Sequence, residues 1–439
     1  MAQSALITEI NKKFKGPANR TWAFSNERSI DLWTHGYHRY PAKFIPQVVK
    51  KLLETYTAPG DRVADVFAGC GTTLVECKVH GLSSVGVDIN PVAQLITKAK
   101  INPVVPLNLE ARFLELQMEI QNKFNPETSY AIREHERIDY WFKPEQKNKI
   151  AFLYSIILKI QDRKEKDFFL CALSNILKNC STWLQSSTKP QTDKTKKIPD
   201  PFKSFKIQVN KMLKRNRLFY ETLDKQNKLD TECEIQVADA RKTNIGESSI
   251  NAIITSPPYV TSYEYADIHQ LTGYWFEYIT DLSSFRKKFI GTFYSQNKNL
   301  KVKSKIATSI INDLAKEDVR LSGEVANYFN DMFDVAHEMN RILVPNGFVC
   351  MVVGNTTLRN VKVKAAEAFA EILRLNNFRI SQVIKRKITN KQIPTIRNNV
   401  NGRFTKLDAE NSKKVYPNEY IIIARKPRRY VIRNSRKKN

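Results

Sequence analysis

The stretch that decides the fold is "DRVADVFAGCGTTLVECKVHGLSSVGVDIN", residues 61–90. Its first part is a short apolar strand that runs into a glycine-containing turn. "TTLVECKVHG" then has the spacing of a helix that stops at Gly81, and "SVGVDIN" reads as a second buried strand. Strand, helix and strand in about thirty residues form a βαβ unit, so this segment predicts a parallel sheet.

The same α/β rhythm continues on both sides of this unit. A helix is predicted at "PAKFIPQVVKKLLETY", and strands and helices alternate again from residue 233 to residue 425. We therefore predict an α/β fold with a Rossmann-like doubly wound sheet, mostly parallel, ending in an antiparallel C-terminal strand pair. The predicted organisation is a first core part at 1–100, a mostly helical insertion at 101–232, a second core part at 233–425 and a basic tail at 426–439.

Charge and cysteine usage limit the class of protein. The 439 residues include 71 Lys and Arg against 44 Asp and Glu, a formal net charge of +27. Such a surplus favours a polyanionic partner, nucleic acid before membrane, although a merely solvated basic surface has the same composition. Six cysteines without a C-x-x-C pair argue for a reducing compartment and against a metal site. No apolar run is long enough for a membrane span, so we expect a cytoplasmic protein.

The glycine turn is the first candidate site. Gly69 and Gly71 would let the backbone approach a ligand closely, although such turns also serve only to pack a helix on a strand. Asp88 ends the next strand 19 residues after Gly69, where a carboxylate can bind both ribose hydroxyls. Leu74 stands where a third glycine would favour a dinucleotide. S-adenosylmethionine, which carries no phosphate, therefore fits better.

The second candidate site is "TSPPY", residues 255–259, at the end of a predicted strand. Pro257 and Pro258 fix two φ angles, remove two backbone donors and hold carbonyl oxygens in set directions. The Ser256 hydroxyl and the Pro257 carbonyl can each accept a hydrogen from an exocyclic amine, and Tyr259 offers a ring on which a base can stack. The alternative is a proline-rich turn without a ligand.

Together, "DVFAGCGTT", "DIN" and "TSPPY" resemble the amino-methyltransferases of DNA, the family that makes N4-methylcytosine or N6-methyladenine in restriction–modification systems. "HRYPAKFIPQVV", residues 38–49, resembles that family's N-terminal cofactor-binding segment, and "ILVPNGFVCMVVGNTTLRN", residues 342–360, its later helix, loop and strand. The carbon-5 cytosine enzymes use a cysteine after proline, which this sequence lacks. The resemblance implies a methyltransferase sheet, S-adenosylmethionine as cofactor and no metal. It implies cofactor contacts from His38, Pro41, Lys43, Phe44, Phe67, Gly69, Gly71, Thr72, Thr73, Asp88 and Asp239, and catalysis at Ser256, Pro257, Pro258 and Tyr259.

The implied activity is site-specific methylation of double-stranded DNA, on a base flipped out of the duplex. Within the resembling family, serine at the first tetrad position favours cytosine N4 over adenine N6. Two basic, amide-rich segments, 283–305 and 389–408, are candidates for reading the DNA sequence, and a cognate restriction endonuclease is a possible partner. An RNA amino-methyltransferase and a non-catalytic nucleic-acid-binding scaffold stay open as alternatives.

Overall fold

A parallel sheet closed by an antiparallel pair forms the centre of the protein. The computed structural model describes residues 2–24, 31–130, 135–260, 264–292, 301–387, 396–398, 412–414 and 418–428. In that part of the chain the strands are β1 Arg62–Asp65, β2 Ser83–Asp88, β3 Cys233–Val237, β4 Ile250–Thr255, β5 Leu343–Gly354, β6 Thr356–Leu358, β7 Val361–Val363, β8 Arg379–Lys387, β9 Ile396–Asn398, β10 Ser412–Lys414 and β11 Asn418–Arg425.

The strand order in the main sheet is β3-β2-β1-β4-β5-β11-β8. Strands β3, β2, β1, β4 and β5 pair in parallel, whereas β11 runs antiparallel to both β5 and β8. β6 pairs with β7 and β9 with β10 in two short antiparallel ribbons. This arrangement confirms the predicted Rossmann-like α/β class, with its mostly parallel sheet and antiparallel C-terminal strand pair.

Helices cover both faces of the sheet. Several begin with a proline in the first turn or an Asn, Asp or Ser cap, the residues that suit the free backbone N–H groups there. Their bounds are α1 Ala2–Phe14, α2 Pro46–Tyr56, α3 Thr72–His80, α4 Pro91–Ile101, α5 Pro106–Lys123, α6 Glu136–Trp141, α7 Pro144–Leu158, α8 Arg163–Leu177, α9 Pro201–Lys225, α10 Tyr265–Ile268, α11 Gln270–Trp275, α12 Leu282–Arg286, α13 Lys305–Glu317, α14 Val319–Ile342 and α15 Ala365–Leu375. In the described residues, no helix is long and apolar enough to cross a membrane.

The segment between β2 and β3 is helical, from α4 to α9. Its apolar side chains do not form an isolated core: Leu95 and Ile96 of α4 share one buried cluster with Phe169 of α8 and with Trp275 of α11. The helices between β2 and β3 are thus packed against the segment that follows the tetrad. They contribute to the surroundings of the sheet's carboxyl edge rather than standing apart from it.

The order of the strands determines where a ligand can bind. From β1 the chain passes through α3 to β2 on one side, while β4 lies on the other side of β1. Such a reversal of strand order opens a crevice at the carboxyl ends of the strands, the usual binding position in open α/β sheets. The glycine turn follows β1, Asp88 ends β2, and the tetrad begins after Thr255 of β4.

Candidate active site

A cleft opens at this carboxyl edge, between the ends of β1, β2 and β4. About 960 Å³ within it is free of protein atoms, part of it open to solvent. The lining residues include Tyr40, Lys43, Phe44, Asp65, Phe67, Gly69, Thr72, Asp88, Asp239, Ser256, Pro258, Tyr265 and Lys288.

The two glycines of the turn have different structural tasks. Both have positive φ angles, 51° at Gly69 and 73° at Gly71. A Cβ at Gly69 would lie 3.3 Å from the ring of Tyr40, inside the cleft, whereas a Cβ at Gly71 would lie 2.6 Å from Cγ2 of Thr97 on α4. Gly69 therefore keeps room at the cleft, and Gly71 lets the start of α3 pack against α4.

Asp88 holds the glycine turn and also lines the cleft. Its carboxylate accepts hydrogen bonds from the backbone N–H of Gly69 and of Asn90, both at 2.9 Å. Burial, opposed by these hydrogen bonds and reinforced by the charge of Asp65, raises the pKa of Asp88 to about 6. The carboxylate is therefore charged at neutral pH and available to hydroxyl donors of a ligand.

Asp65, which the sequence analysis did not single out, joins three elements beneath the cleft. It accepts hydrogen bonds from Thr73 Oγ1 at 2.6 Å and from Thr255 Oγ1 at 2.7 Å, and from the backbone N–H of Phe67 at 3.0 Å. Burial raises the pKa of Asp65. The signal in the sequence is an acidic residue inside an apolar strand, because a buried carboxylate requires several donors around it.

The Ser-Pro-Pro-Tyr tetrad follows β4, and some of its polar groups already have hydrogen-bond partners within the protein. The Ser256 hydroxyl donates to the carbonyl of Val352 at 3.1 Å, and the Pro258 carbonyl accepts from Tyr328 Oη at 2.6 Å. The Ser256 oxygen, which lines the cleft, therefore offers lone pairs and not a proton. The phenol of Tyr259 donates to Glu419 Oε1 at 3.0 Å.

The structure divides the predicted site residues into two groups. Those that line the cleft are Lys43, Phe44, Phe67, Gly69, Thr72, Asp88, Asp239, Ser256 and Pro258. Those outside its lining are His38, Pro41, Gly71, Thr73, Pro257 and Tyr259. Of the second group, Thr73 and Pro257 are buried directly behind residues of the cleft.

His38 is outside the cleft lining and connects the N-terminal segment with helix α8. Its Nδ1–H donates to the Arg39 carbonyl at 2.7 Å, and Nε2 accepts from the Ser174 hydroxyl at 3.0 Å. Burial lowers the pKa of His38 to about 4, so the ring is neutral. Thr272 Oγ1 lies 2.8 Å from Ser174 Oγ, which extends the connection to the segment after the tetrad.

Two predicted charged residues of the cleft have partners of opposite charge. Lys43 Nζ donates to Asp31 Oδ1 at 2.6 Å. Both carboxylate oxygens of Asp239 accept from the guanidinium of Arg241, which also donates to Asp331 at 2.7 Å. These contacts orient both side chains before any ligand is bound.

Aromatic residues from distant segments cover the glycine turn. The rings of Tyr40 and Tyr265 stack with centroids 5.9 Å apart, and His269 lies 5.0 Å from Tyr40. His269 Nδ1 accepts from Asn90 Nδ2 at 2.7 Å, next to Asp88. The segment that follows the tetrad contributes to both cleft and core: Tyr265 lines the cleft, and Trp275 is buried.

One predicted recognition segment reaches the cleft. Residues 288–290 and 292, directly after α12, line it, and Arg286 anchors this stretch through Asp267 at 2.6 Å. Within 283–305, residues 293–300 lie outside the described residues. The segment 389–408 lies outside the described residues except for the short strand β9, as does most of the basic tail.

The cleft fits S-adenosylmethionine by the chemistry of its lining. The Asp88 carboxylate can accept hydrogen bonds from ligand hydroxyl groups, and Gly69 leaves space beside the ring of Tyr40. Phe67 and Ile89 add apolar side chains to the lining. No cluster of three or more His, Cys, Asp or Glu residues suited to a metal ion occurs among the described residues.

Comparison with known proteins agrees with this geometry. The model of the DNA methylase family, the N6/N4 methyltransferases, matches residues 3–99 and 250–439. Type II methyltransferase M.MvaI of Kocuria varians is 26% identical over 418 residues, 89% of this chain and 91% of its own. Type II methyltransferase M.MjaII of Methanocaldococcus jannaschii is 46% identical over 76 residues, 17% of this chain and 14% of its own.

A solved S-adenosylmethionine-dependent methyltransferase of Methanosarcina mazei aligns with 89% of this chain and 99% of its own, at 9% identity and a TM-score of 0.30. The assignment rests on the family match, which covers two ranges of the chain and includes the glycine turn and the tetrad. The chain therefore belongs to the DNA methylase family, enzymes that methylate the amino groups of bases in DNA with S-adenosylmethionine as methyl donor.

Proposed function

We propose that the chain methylates the N4 amine of cytosine at specific sites in double-stranded DNA, by direct transfer to a flipped-out base. In this proposal Ser256, Pro257, Pro258 and Tyr259 act on the base. Asp88 and the other predicted cofactor residues that line the cleft bind S-adenosylmethionine.

The observation that carries the proposal is that the Ser256 hydroxyl already donates its proton to a backbone carbonyl. Because this hydroxyl donates to Val352, its oxygen can only accept from a ligand. No donor among the described residues is recorded at the Pro257 carbonyl. An amine with two N–H groups matches two such acceptors, whereas a ring nitrogen or carbonyl of a base does not.

The residues of the chain contribute binding and orientation rather than covalent chemistry. S-adenosylmethionine, when bound, supplies a methyl group on a positively charged sulfur. Asp88 accepts hydrogen bonds from the ribose hydroxyls, and Asp239 accepts from the adenine amine. Ser256 and Pro257 accept hydrogen bonds from the two N–H groups of the target amine, so that its lone pair is directed at the methyl group. The amine would gain the methyl group as the sulfur–carbon bond breaks, and would release one proton to solvent. Placing two reactants in this way supplies much of the rate enhancement of a transfer reaction.

The choice of cytosine over adenine depends on the first tetrad residue. A carboxylate at that position could draw a proton from the attacking amine, while the Ser256 hydroxyl only accepts a hydrogen bond. This chain has no carboxylate at that position to remove a proton from the amine. This difference affects reactivity and does not by itself identify the base. Serine at this position favours N4-methylcytosine within the family, with N6-methyladenine as the alternative product.

The wider proposal concerns DNA and partners. The net charge of +27 suits a phosphate backbone, and we propose that 283–305 and 389–408 read the DNA sequence. We propose that 101–232 is an insertion that separates two parts of one catalytic core. Since the matched relatives are type II methyltransferases, a cognate restriction endonuclease and action in the cytoplasm are part of the proposal.

The test is methyl transfer from labelled S-adenosylmethionine to mixed genomic DNA and, separately, to RNA, followed by nucleoside analysis. We expect labelled N4-methylcytosine from DNA, and a strong loss of label with Ser256→Ala at unchanged cofactor affinity. N6-methyladenine would contradict the Ser256 argument alone. Label only in RNA would contradict the substrate, and no label in either would leave a non-catalytic scaffold.

A further inference from the structure

The tetrad tyrosine is held by groups on strands β5 and β11. Its phenol donates to Glu419 Oε1 at 3.0 Å, and its ring lies against Gly354 at the end of β5. A Cβ at Gly354 would lie 2.9 Å from Cε2 of Tyr259, so the absence of a side chain there gives the ring its place. Two contacts, one polar and one steric, thus determine where this ring stands.

Glu419 is in turn paired with a buried arginine. Arg386 on β8 and Glu419 on β11 are direct cross-strand partners, and Arg386 Nη1 donates to Glu419 Oε2 at 3.0 Å. The Arg386 side chain is 1% exposed. Each carboxylate oxygen of Glu419 therefore accepts a different hydrogen bond, one from the tyrosine and one from the arginine.

A contribution to folding stability does not explain why this ion pair is present. Arg386 Nε and Nη2 are buried and have no hydrogen-bond partner among the described residues. A buried ion pair with unsatisfied N–H groups is commonly no more stable than an apolar pair of similar size. The arrangement is better explained by what it does to Tyr259.

Its effect on Tyr259 is a hydrogen bond of fixed direction. Glu419 is ion-paired with Arg386, and a carboxylate can only accept hydrogen bonds. Burial, and then the charge of Glu419, raise the pKa of Tyr259 well above its usual value, so the phenol stays protonated and can only donate to it. This hydrogen bond holds the phenol end of the ring in place, and the close contact with Gly354 limits rotation of the ring about its own axis.

We propose that Glu419 and Arg386 are positioning residues for methyl transfer, and that their ion pair fixes the ring of Tyr259 in the orientation that receives the target base. The inference rests on the proposed function, because it concerns the base-binding role of Tyr259. It adds two residues from β8 and β11, more than 120 positions along the chain from the tetrad.

A double-mutant cycle on methyl transfer tests the inference. Glu419→Gln keeps the size of the side chain and removes the charge; Tyr259→Phe keeps the ring and removes the phenol oxygen. Under saturating S-adenosylmethionine and genomic DNA, we expect Glu419→Gln to lower the rate about tenfold in the Tyr259 background. In the Tyr259→Phe background we expect no further loss. Equal losses in both backgrounds would overturn the proposal.

A second variant separates positioning from folding. Arg386→Met combined with Glu419→Leu replaces the ion pair by an apolar pair, which should keep the stability and the cofactor affinity of the wild type. We expect its methyl-transfer rate to stay low. A wild-type rate in this variant would show that only packing matters and would overturn the proposal.

Glu338→Gln is the matched control, because Glu338 is a buried carboxylate paired with Arg341 at 2.6 Å and does not line the cleft. Its methyl-transfer rate should equal that of the wild type. Wild-type protein that labels no DNA would overturn the proposed function together with this inference, whereas an active wild type with additive losses would overturn this inference alone.

Discussion

Replacing Gly71 by alanine should cost more folding free energy than the same change at Gly81. Both glycines have nearly the same positive φ, 73° and 71°, one at the start of α3 and the other at its end. An alanine in this region of φ is strained by roughly 1–2 kcal/mol at either position. The backbone term is therefore common to the two variants, and their difference measures packing.

The packing term follows from the neighbours of the added methyl group. At Gly71 it would lie 2.6 Å from Cγ2 and 2.7 Å from Oγ1 of Thr97, on the buried side of α4. At Gly81 the nearest atom is Cε of Lys228 at 3.2 Å, on a flexible side chain. Inserting a methyl group into a packed site costs typically about 1–3 kcal/mol. We expect Gly71→Ala to lose about 2–5 kcal/mol in total and Gly81→Ala about 1–2 kcal/mol.

Urea unfolding followed by tryptophan fluorescence measures both losses. Thr97→Ala is the internal check, because it removes the two closest atoms and should reduce the cost of Gly71→Ala. Equal losses at Gly71 and Gly81, or no relief from Thr97→Ala, would refute the reasoning: the turn would then move without pressing on α4.

Three further predictions concern the cleft and its charge. Affinity for S-adenosylmethionine, measured by calorimetry, should be constant above about pH 7 and should fall as the pH drops through about 6, because the Asp88 carboxylate, whose pKa is raised to about 6, becomes protonated there. Asp88→Asn should bind the cofactor more weakly and lose this pH dependence. An unchanged pH profile in this variant would contradict the role of Asp88. Tyr259→Ala should remove a stacking contribution on the order of 1–3 kcal/mol from the base and reduce methyl transfer far more than cofactor binding, with equal loss of both as the contrary result. DNA affinity should fall linearly on a logarithmic plot against salt, and a flat response would contradict a phosphate-binding surface.

Much of the fold was predictable because its signals are local. The strand, helix and strand of 61–90 are bounded by their own glycines and by Asp88, and each element forms as its apolar pattern predicts. Ser256 and the two prolines likewise stand at a strand end that the sequence identifies. These predictions depend on neighbours within a few residues, so sequence alone could make them.

The residues that line and support the cleft were less predictable, because their positions depend on contacts between distant parts of the chain. Tyr40 and Tyr265 are 225 positions apart, and their stacking depends on α4, α8 and α11 packing into one buried cluster. Asp65 gains its role only when β4 brings Thr255 beside it. Glu419 and Arg386 reach Tyr259 only because β11 and β8 extend the sheet beyond β5.

The sequence by itself therefore determined the α/β class, the glycine turn, the acidic strand end and the proline tetrad, since each is set by backbone restrictions of nearby residues. The tertiary structure alone decided which way each of these groups faces. Gly71 faces α4 rather than the cleft, the Ser256 proton faces Val352, and the phenol of Tyr259 faces Glu419. The orientation of these groups is set by the strand order and by contacts between residues far apart in the chain. A local sequence pattern does not contain that information.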